Sequence, residues 1–130
     1  MSKFIVSQSC VYTSEHEWLK NSEQNFLVGI TDYAQSELGD VVFVDLPTVG
    51  DSFKQGDVMA NVESVKAVSE IYAPIDGVIV GVNEDLKSSP QLVNEQPFDF
   101  GWMVIMSSTD ALQVNGLLKP EQYEELINKV

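Results

Sequence analysis

Apolar residues along this chain fall in short runs separated by turn residues. Residues 26–30, Phe-Leu-Val-Gly-Ile, form one strand-like run. Thr31 or Asp32 can then cap a short helix over residues 33–38, and Gly39 stands where a helix commonly ends in a left-handed residue. Residues 41–46 are rich in valine and stop at Pro47, which reads as a second strand. Turn chemistry follows at residues 49–51 and 55–57, each centred on glycine. Asp76-Gly77 opens another strand through residue 82. The stretch 83–101, with Pro90 and Pro97, reads as loop, and residues 102–106 as a last strand. The tail then changes period. Ser108 or Thr109 can cap a helical turn through Leu112, and Pro120 fits the first position of a final helix through Ile127. Many short strands with close turns predict a mainly β domain, a small barrel or sandwich closed by C-terminal helices.

Residues 58–73 support two readings. Val58, Val62, Val65 and Ser69 follow a helical stripe that Asp57 could cap, while Val58, Ala60 and Val62 alternate with polar residues as a strand would. Valine content and the neighbouring strands favour a hairpin. In the helical reading, Glu63 and Glu70 would be surface ion pairs of Lys66 worth only tenths of a kcal/mol.

Length and composition narrow the function. The 130 residues suit one domain, and 44% hydrophobic content is ordinary for a soluble globular core. Twenty acids against seven lysines, with no arginine, give a net charge of −13. That balance argues against nucleic acid and anionic membrane surfaces, and for partners with basic docking faces. Cys10 and His16 are the only residues of their kinds, which leaves no disulfide, no thiolate cluster and no multi-histidine metal site. Cys10 reads as a tail thiol. His16 reads as a structural side chain beside Trp18, and Trp18 and Trp102 as core. Asp32, Asp40 and Asp45 read as caps and solvated strand ends. No apolar stretch is long enough to span a bilayer, and the N-terminus has neither a signal-peptide nor a presequence pattern, so the expectation is cytoplasmic. Lys66 is the only base between Lys54 and Lys87, in an interval with six acids, which marks it as a handle.

Over residues 12–126 the chain closely resembles the H-protein family of the glycine cleavage system. The resemblance rests on Glu15-His16-Glu17-Trp18, on residues 28–35 and 38–47, and on Glu63-Ser64-Val65-Lys66-Ala67. It continues through Tyr72-Ala73-Pro74, Gly77, Val82-Asn83, residues 92–95 and Gly101-Trp102. Residues 1–11 have no counterpart in it and are an unassigned extension of a single carrier domain. Thr48, residues 98–101, Ile105 and Ser107 depart from the usual family pattern.

The resemblance implies a flattened β-barrel of the lipoyl type, a barrel-sandwich hybrid, with Lys66 at a hairpin tip carrying lipoic acid through an amide. Val65 and Ala67 beside the lysine, in place of methionines, favour lipoate over biotin. The implied function is to shuttle the aminomethyl group of glycine between enzymes as a carrier, not as an enzyme. The implied partners are the glycine decarboxylase (P protein), the aminomethyltransferase (T protein), the dihydrolipoyl dehydrogenase (L protein), and a lipoate-protein ligase or octanoyltransferase, with the carrier itself a monomer. Glu63 falls where lipoyl carriers hold an acid for ligase recognition. Glu17 and Glu70, with Glu15 and His16 beside them, are the implied dock for the cationic cargo. A lipoate relay to 2-oxo acid dehydrogenase subunits, or an interaction module without the prosthetic group, are the alternatives.

Overall fold

The structure, a computed structural model, describes residues 4–110 and 112–128. Residues 1–3 of the N-terminal extension, residue 111 of the tail and residues 129–130 lie outside them. In chain order the elements are β1 (Cys10–Tyr12), β2 (Glu17–Ser22), β3 (Asn25–Ile30), α1 (Asp32–Leu38), β4 (Val41–Asp45), β5 (Ser52–Phe53), β6 (Val58–Ser64) and β7 (Val68–Tyr72). They continue with β8 (Gly77–Val82), α2 (Asp85–Ser88), α3 (Leu92–Glu95), β9 (Val104–Ser108), α4 (Leu112–Asn115) and α5 (Pro120–Asn128). All strand pairs are antiparallel. One sheet has the order β1-β2-β3-β9-β8-β5 and the other β4-β6-β7. The result is the expected barrel-sandwich, built as two sheets instead of one closed barrel. Among the described residues no helix is long and apolar enough to cross a membrane.

Inward-facing residues of both sheets, among them Leu19, Val28, Val44, Val62, Ile79 and Met106, form the main core. A second, aromatic cluster covers the outer side of β1–β2. Tyr12, Trp18 and Tyr123 are fully buried in it, and α5 packs down through Tyr123 and Ile127. The Trp18 indole N–H is shared between the carbonyls of Ile30 (2.9 Å) and Pro97 (3.0 Å), which ties the long 83–101 segment to β3. Tyr12 exchanges two backbone hydrogen bonds of 2.8 Å with Leu118 and so anchors the C-terminal segment.

Valine content decided the ambiguous stretch correctly: residues 58–72 are a hairpin, with Asn61 opposite Glu70 and Glu63 opposite Val68. Four expectations need correction. The 83–101 segment is not plain loop, because α2 and α3 each make one turn there, too short to leave a period in the sequence. The last strand runs from Val104, two residues later than its apolar run, because the Trp102 carbonyl accepts from Asn83 Nδ2 at 2.7 Å instead of joining a ladder. α4 begins at Leu112 instead of ending there. Cys10 is no tail thiol: it is 3% exposed on β1, and burial raises its thiol above the ordinary range. β1, β2 and β5 were not anticipated.

Gly77 illustrates how closely β8 and β9 approach. A Cβ built there would lie 2.1 Å from the Ser107 carbonyl oxygen, a backbone atom that cannot swing away. Gly77→Ala is therefore expected to destabilise the fold by about 1–3 kcal/mol, read as a lower urea midpoint. An unchanged midpoint would show that the two strands can part without loss.

Candidate functional site at the hairpin tip

The turn between β6 and β7 consists of Val65, Lys66 and Ala67. Ser64 closes it from inside. Its N–H donates to the Ala67 carbonyl (2.8 Å), and its hydroxyl oxygen accepts from the N–H groups of Ala67 (3.1 Å) and Lys66 (3.2 Å). Serine suits this place because its short hydroxyl satisfies turn amides locally. From outside, the Val65 N–H donates to the Asp40 carbonyl at 3.0 Å, which fastens the tip to the turn between α1 and β4.

That second turn is itself fixed. Thr31 caps α1, accepting from the Ala34 N–H, and Gly39 ends it at φ +79°, a conformation that side chains disfavour. Asn94 of α3 then holds the turn together: its amide nitrogen donates to the Gly39 carbonyl (2.8 Å) and to Gln35 Oε1 (3.0 Å), while its oxygen accepts from the Val41 N–H (2.9 Å). The Lys66 side chain lies across Gly39. A Cβ there would come 3.3 Å from Lys66 Cε and 3.9 Å from Nζ. The ion pairs among the described residues, Lys54–Asp76 and Lys87–Glu84, do not include Lys66. The surface pairs of the helical reading are thus absent, and the amine is exposed on a rigid base.

A groove of about 490 Å³ lies between the edge of β7 and α1, lined by Leu38 next to Gly39 and by Val68 two residues after Lys66. Ile30, Leu38 and Ile71 give it an apolar floor, and Glu15, Glu37 and Glu70 give it three carboxylates, with His16 and Tyr33 on its wall. A second groove of equal volume lies beyond Glu15 and Tyr72, which line both, and contains Glu17. The acids grouped by resemblance are thus divided by a ridge. Glu15, His16 and Glu70 share the groove nearest Lys66, and Glu17 lies on the other side. Glu63 is exposed on β6, away from both grooves.

Tyr72 links the two sides. Its N–H donates to Glu17 Oε2 at 3.1 Å, and its hydroxyl donates to Glu70 Oε1 at 3.1 Å, which raises the phenol above its ordinary range. Glu17 is 2% exposed, and its other oxygen accepts from the Thr13 hydroxyl at 2.5 Å. Burial raises its carboxyl above the ordinary value of 4.5, although both hydrogen bonds pull the other way. Tyr72, Thr13, Glu37 and Asn94 were missed as site residues. The strand alternation of Val68, Glu70 and Tyr72 on one face was the available signal, and the helix-or-strand ambiguity hid it.

His16 sits in a left-handed conformation at φ +73°, in a turn closed by its N–H to the Thr13 carbonyl. It does not pack beside Trp18 as expected: its ring lies against Tyr33 and Tyr123, and Nδ1 is 2.8 Å from the Tyr123 hydroxyl, which is 2.7 Å from Thr31 Oγ1. Burial lowers its pKa below the ordinary 6.5, against the raising effect of Glu15 and Glu37, so the ring is neutral at pH 7. No group of three or more metal-ligating side chains occurs among the described residues. The residues present fit an acylated lysine: an exposed amine, a glycine seat without Cβ beneath its stem, and an apolar-floored groove within reach.

A family model described as "Glycine cleavage H-protein" matches residues 10–130. It takes in Cys10 and Val11, which the sequence resemblance left outside. The chain is 51% identical over 118 residues to the glycine cleavage system H protein of Bacillus licheniformis, covering 91% of this chain and 93% of that one. It is 52% identical to that of Geobacillus kaustophilus over the same shares. A crystal structure of a glycine cleavage system H protein from Mycobacterium marinum superposes with a TM-score of 0.87 at 34% identity, over 96% of this chain and 100% of that chain.

Glu17 gives the site a pH signature. The folded state holds the Glu17 proton more tightly than the unfolded chain does, so its favourable contribution is full at low pH and fades as pH rises through the folded pKa. Glu17→Gln either loses the bond from the Tyr72 N–H or turns its NH2 onto Thr13 Oγ1, which already accepts from the Glu15 and Glu17 amides, and is less stable throughout. Its deficit relative to the parent is expected to narrow between about pH 4 and about pH 7, measured by urea unfolding at each pH. A deficit that widens over that range would mean that the hydrogen bonds, not burial, govern this carboxyl.

Proposed function

The chain belongs to the glycine cleavage H-protein family, and on that footing we propose that it is a lipoyl carrier with Lys66 as the covalent attachment point. The observation that carries the reading is the unpaired Lys66 amine, held on a turn braced by Ser64 and Asp40 and resting on Gly39 beside an acid-lined groove. Lys66 would hold the lipoyl group, which would supply the two-electron dithiolane chemistry needed to carry the aminomethyl group of glycine.

The chain's own residues supply placement and shelter. Acylation removes the Lys66 charge, and the apolar floor of Ile30, Leu38 and Ile71 gives the resulting chain a surface to lie on. A cationic amine brought into that groove meets Glu15, Glu37 and Glu70, and the neutral His16 ring does not repel it. Glu17 acts from the other side of the ridge, by fixing the backbone of Tyr72 and through it the hydroxyl bonded to Glu70. Enclosure by Tyr33 and His16 limits water at the bound group. Glu63 serves the enzyme that attaches the group. The partners follow from membership of the system: the decarboxylase, the aminomethyltransferase, the dihydrolipoyl dehydrogenase and a lipoate ligase or octanoyltransferase. Their basic faces complement a net charge of −13, so association weakens as salt is added.

Intact-mass spectrometry after exposure to a competent lipoate ligase is expected to show one added lipoyl group, mapped to Lys66 and absent from Lys66→Arg. An unmodified parent chain would sink the proposal. In carrier charged by the decarboxylase, Glu17→Ala and Glu70→Ala are each expected to speed release of ammonia into water, by roughly tenfold if about 1.4 kcal/mol of shelter is lost. Unchanged release from both variants would remove these acids from the dock.

A further inference from the structure

The outer face of the β4–β6–β7 sheet has no partner within the described residues. Directly opposed residues in an antiparallel ladder point to the same side. Phe43, Glu63 and Val68 therefore form one outward row, and Asp45, Asn61 and Glu70 the next. The first row ends at the turn that carries Lys66. Phe43 is 50% exposed and Val68 63%, and Val42 and Val65 add 53% and 69% at the irregular register of β4 and at the tip. Four exposed apolar side chains thus lie on the face and the tip of the sheet that carries Lys66, on a chain otherwise rich in acid. A patch of this kind, edged by carboxylates, has the make-up of a docking surface with an apolar centre and a charged rim.

We propose that this face is the surface covered by the enzyme that acylates Lys66, and that Phe43 and Val42 are its apolar anchors. The proposal rests on Lys66 being the acylated residue. Amide formation takes place at Nζ itself, so the acylating enzyme must bring its reacting centre into bonding contact with the tip and must cover what adjoins it. Enzymes that work on the far end of a long arm have no such need. Glu63, between Phe43 and Val68, then meets a basic residue of that enzyme at the centre of the contact, with Asp45 and Glu70 at its rim. The occupant is an acyltransferase or ligase with an apolar footprint and a basic rim.

The test compares Phe43→Ser and Val42→Ser with the parent chain; both side chains are exposed and lie outside the two grooves beside the tip. Acylation by a purified lipoate ligase is followed by intact mass over a range of carrier concentration. Each variant is expected to raise the KM for carrier by roughly tenfold, the size typical of truncating an interface anchor, with kcat little changed. The same variants, acylated to completion with excess ligase, are expected to support glycine decarboxylation at the parent rate. Parent-like acylation kinetics in both variants would overturn the proposal. So would a fully acylated variant that fails in decarboxylation, since the face would then belong to the decarboxylase. If the parent chain itself is not acylated, the attachment at Lys66 fails first and this proposal with it.

Discussion

The 3.0 Å hydrogen bond from the Val65 N–H to the Asp40 carbonyl carries the β4–β6 pairing one step past Val41 and Ser64, onto the hairpin tip. The hairpin tip is an outgrowth of the three-stranded sheet, and the turn under it belongs to the path from α1 to β4. Without that bond the three-residue turn would have no tie to the β4 side beyond Ser64. With it, Lys66 has a fixed origin and a fixed direction across Gly39. The bond holds only because its acceptor is held, through Thr31 at one end of α1 and Asn94 at the other. A carrier whose arm must move gains from an anchor that does not, since every degree of freedom at the base lowers the chance of finding the groove.

Burial and charge divide the labour among the acids. Glu17 is enclosed, doubly hydrogen-bonded and shifted toward its protonated form, which makes it a structural tie between the start of β2 and the end of β7. Glu15, Glu37 and Glu70 stay exposed and available to a cation. Tyr72 transmits one role to the other, because its backbone serves Glu17 and its hydroxyl serves Glu70. A change at Glu17 therefore reaches the groove without touching anything bound in it.

Much of this was legible in the sequence, for identifiable reasons. Strong valine runs bounded by glycine and proline made β3, β4 and β8 plain, and the Thr31–Gly39 pair marked both ends of α1. β1 and β2 were not plain, because the burial of Tyr12 and Trp18 depends on α5, more than a hundred residues further along. α2 and α3 are single turns set by Asn83 and by the path of the chain, and four residues cannot show a period. At the site, Lys66 and its neighbouring acids could be named from their pattern. The ridge that separates Glu17 from Glu70 could not, because it depends on how the start of β2 sits against the end of β7. Cys10 looked like a tail residue until the pairing of β1 with β2 buried it.

The chain of contacts Thr31–Tyr123–His16 carries one more implication. The Ala34 amide and the Tyr123 hydroxyl are the two partners of Thr31 Oγ1, and the amide can only donate, so the threonine hydrogen is used only when it points to the Tyr123 oxygen. The single phenolic hydrogen of Tyr123 then turns to His16 Nδ1, and the neutral imidazole keeps its hydrogen on Nε2. The alternative orientation would leave the buried threonine hydrogen unused. The last helix of the chain, through one phenol, thus selects the tautomer of the histidine on the groove wall and decides which of its nitrogens can donate there.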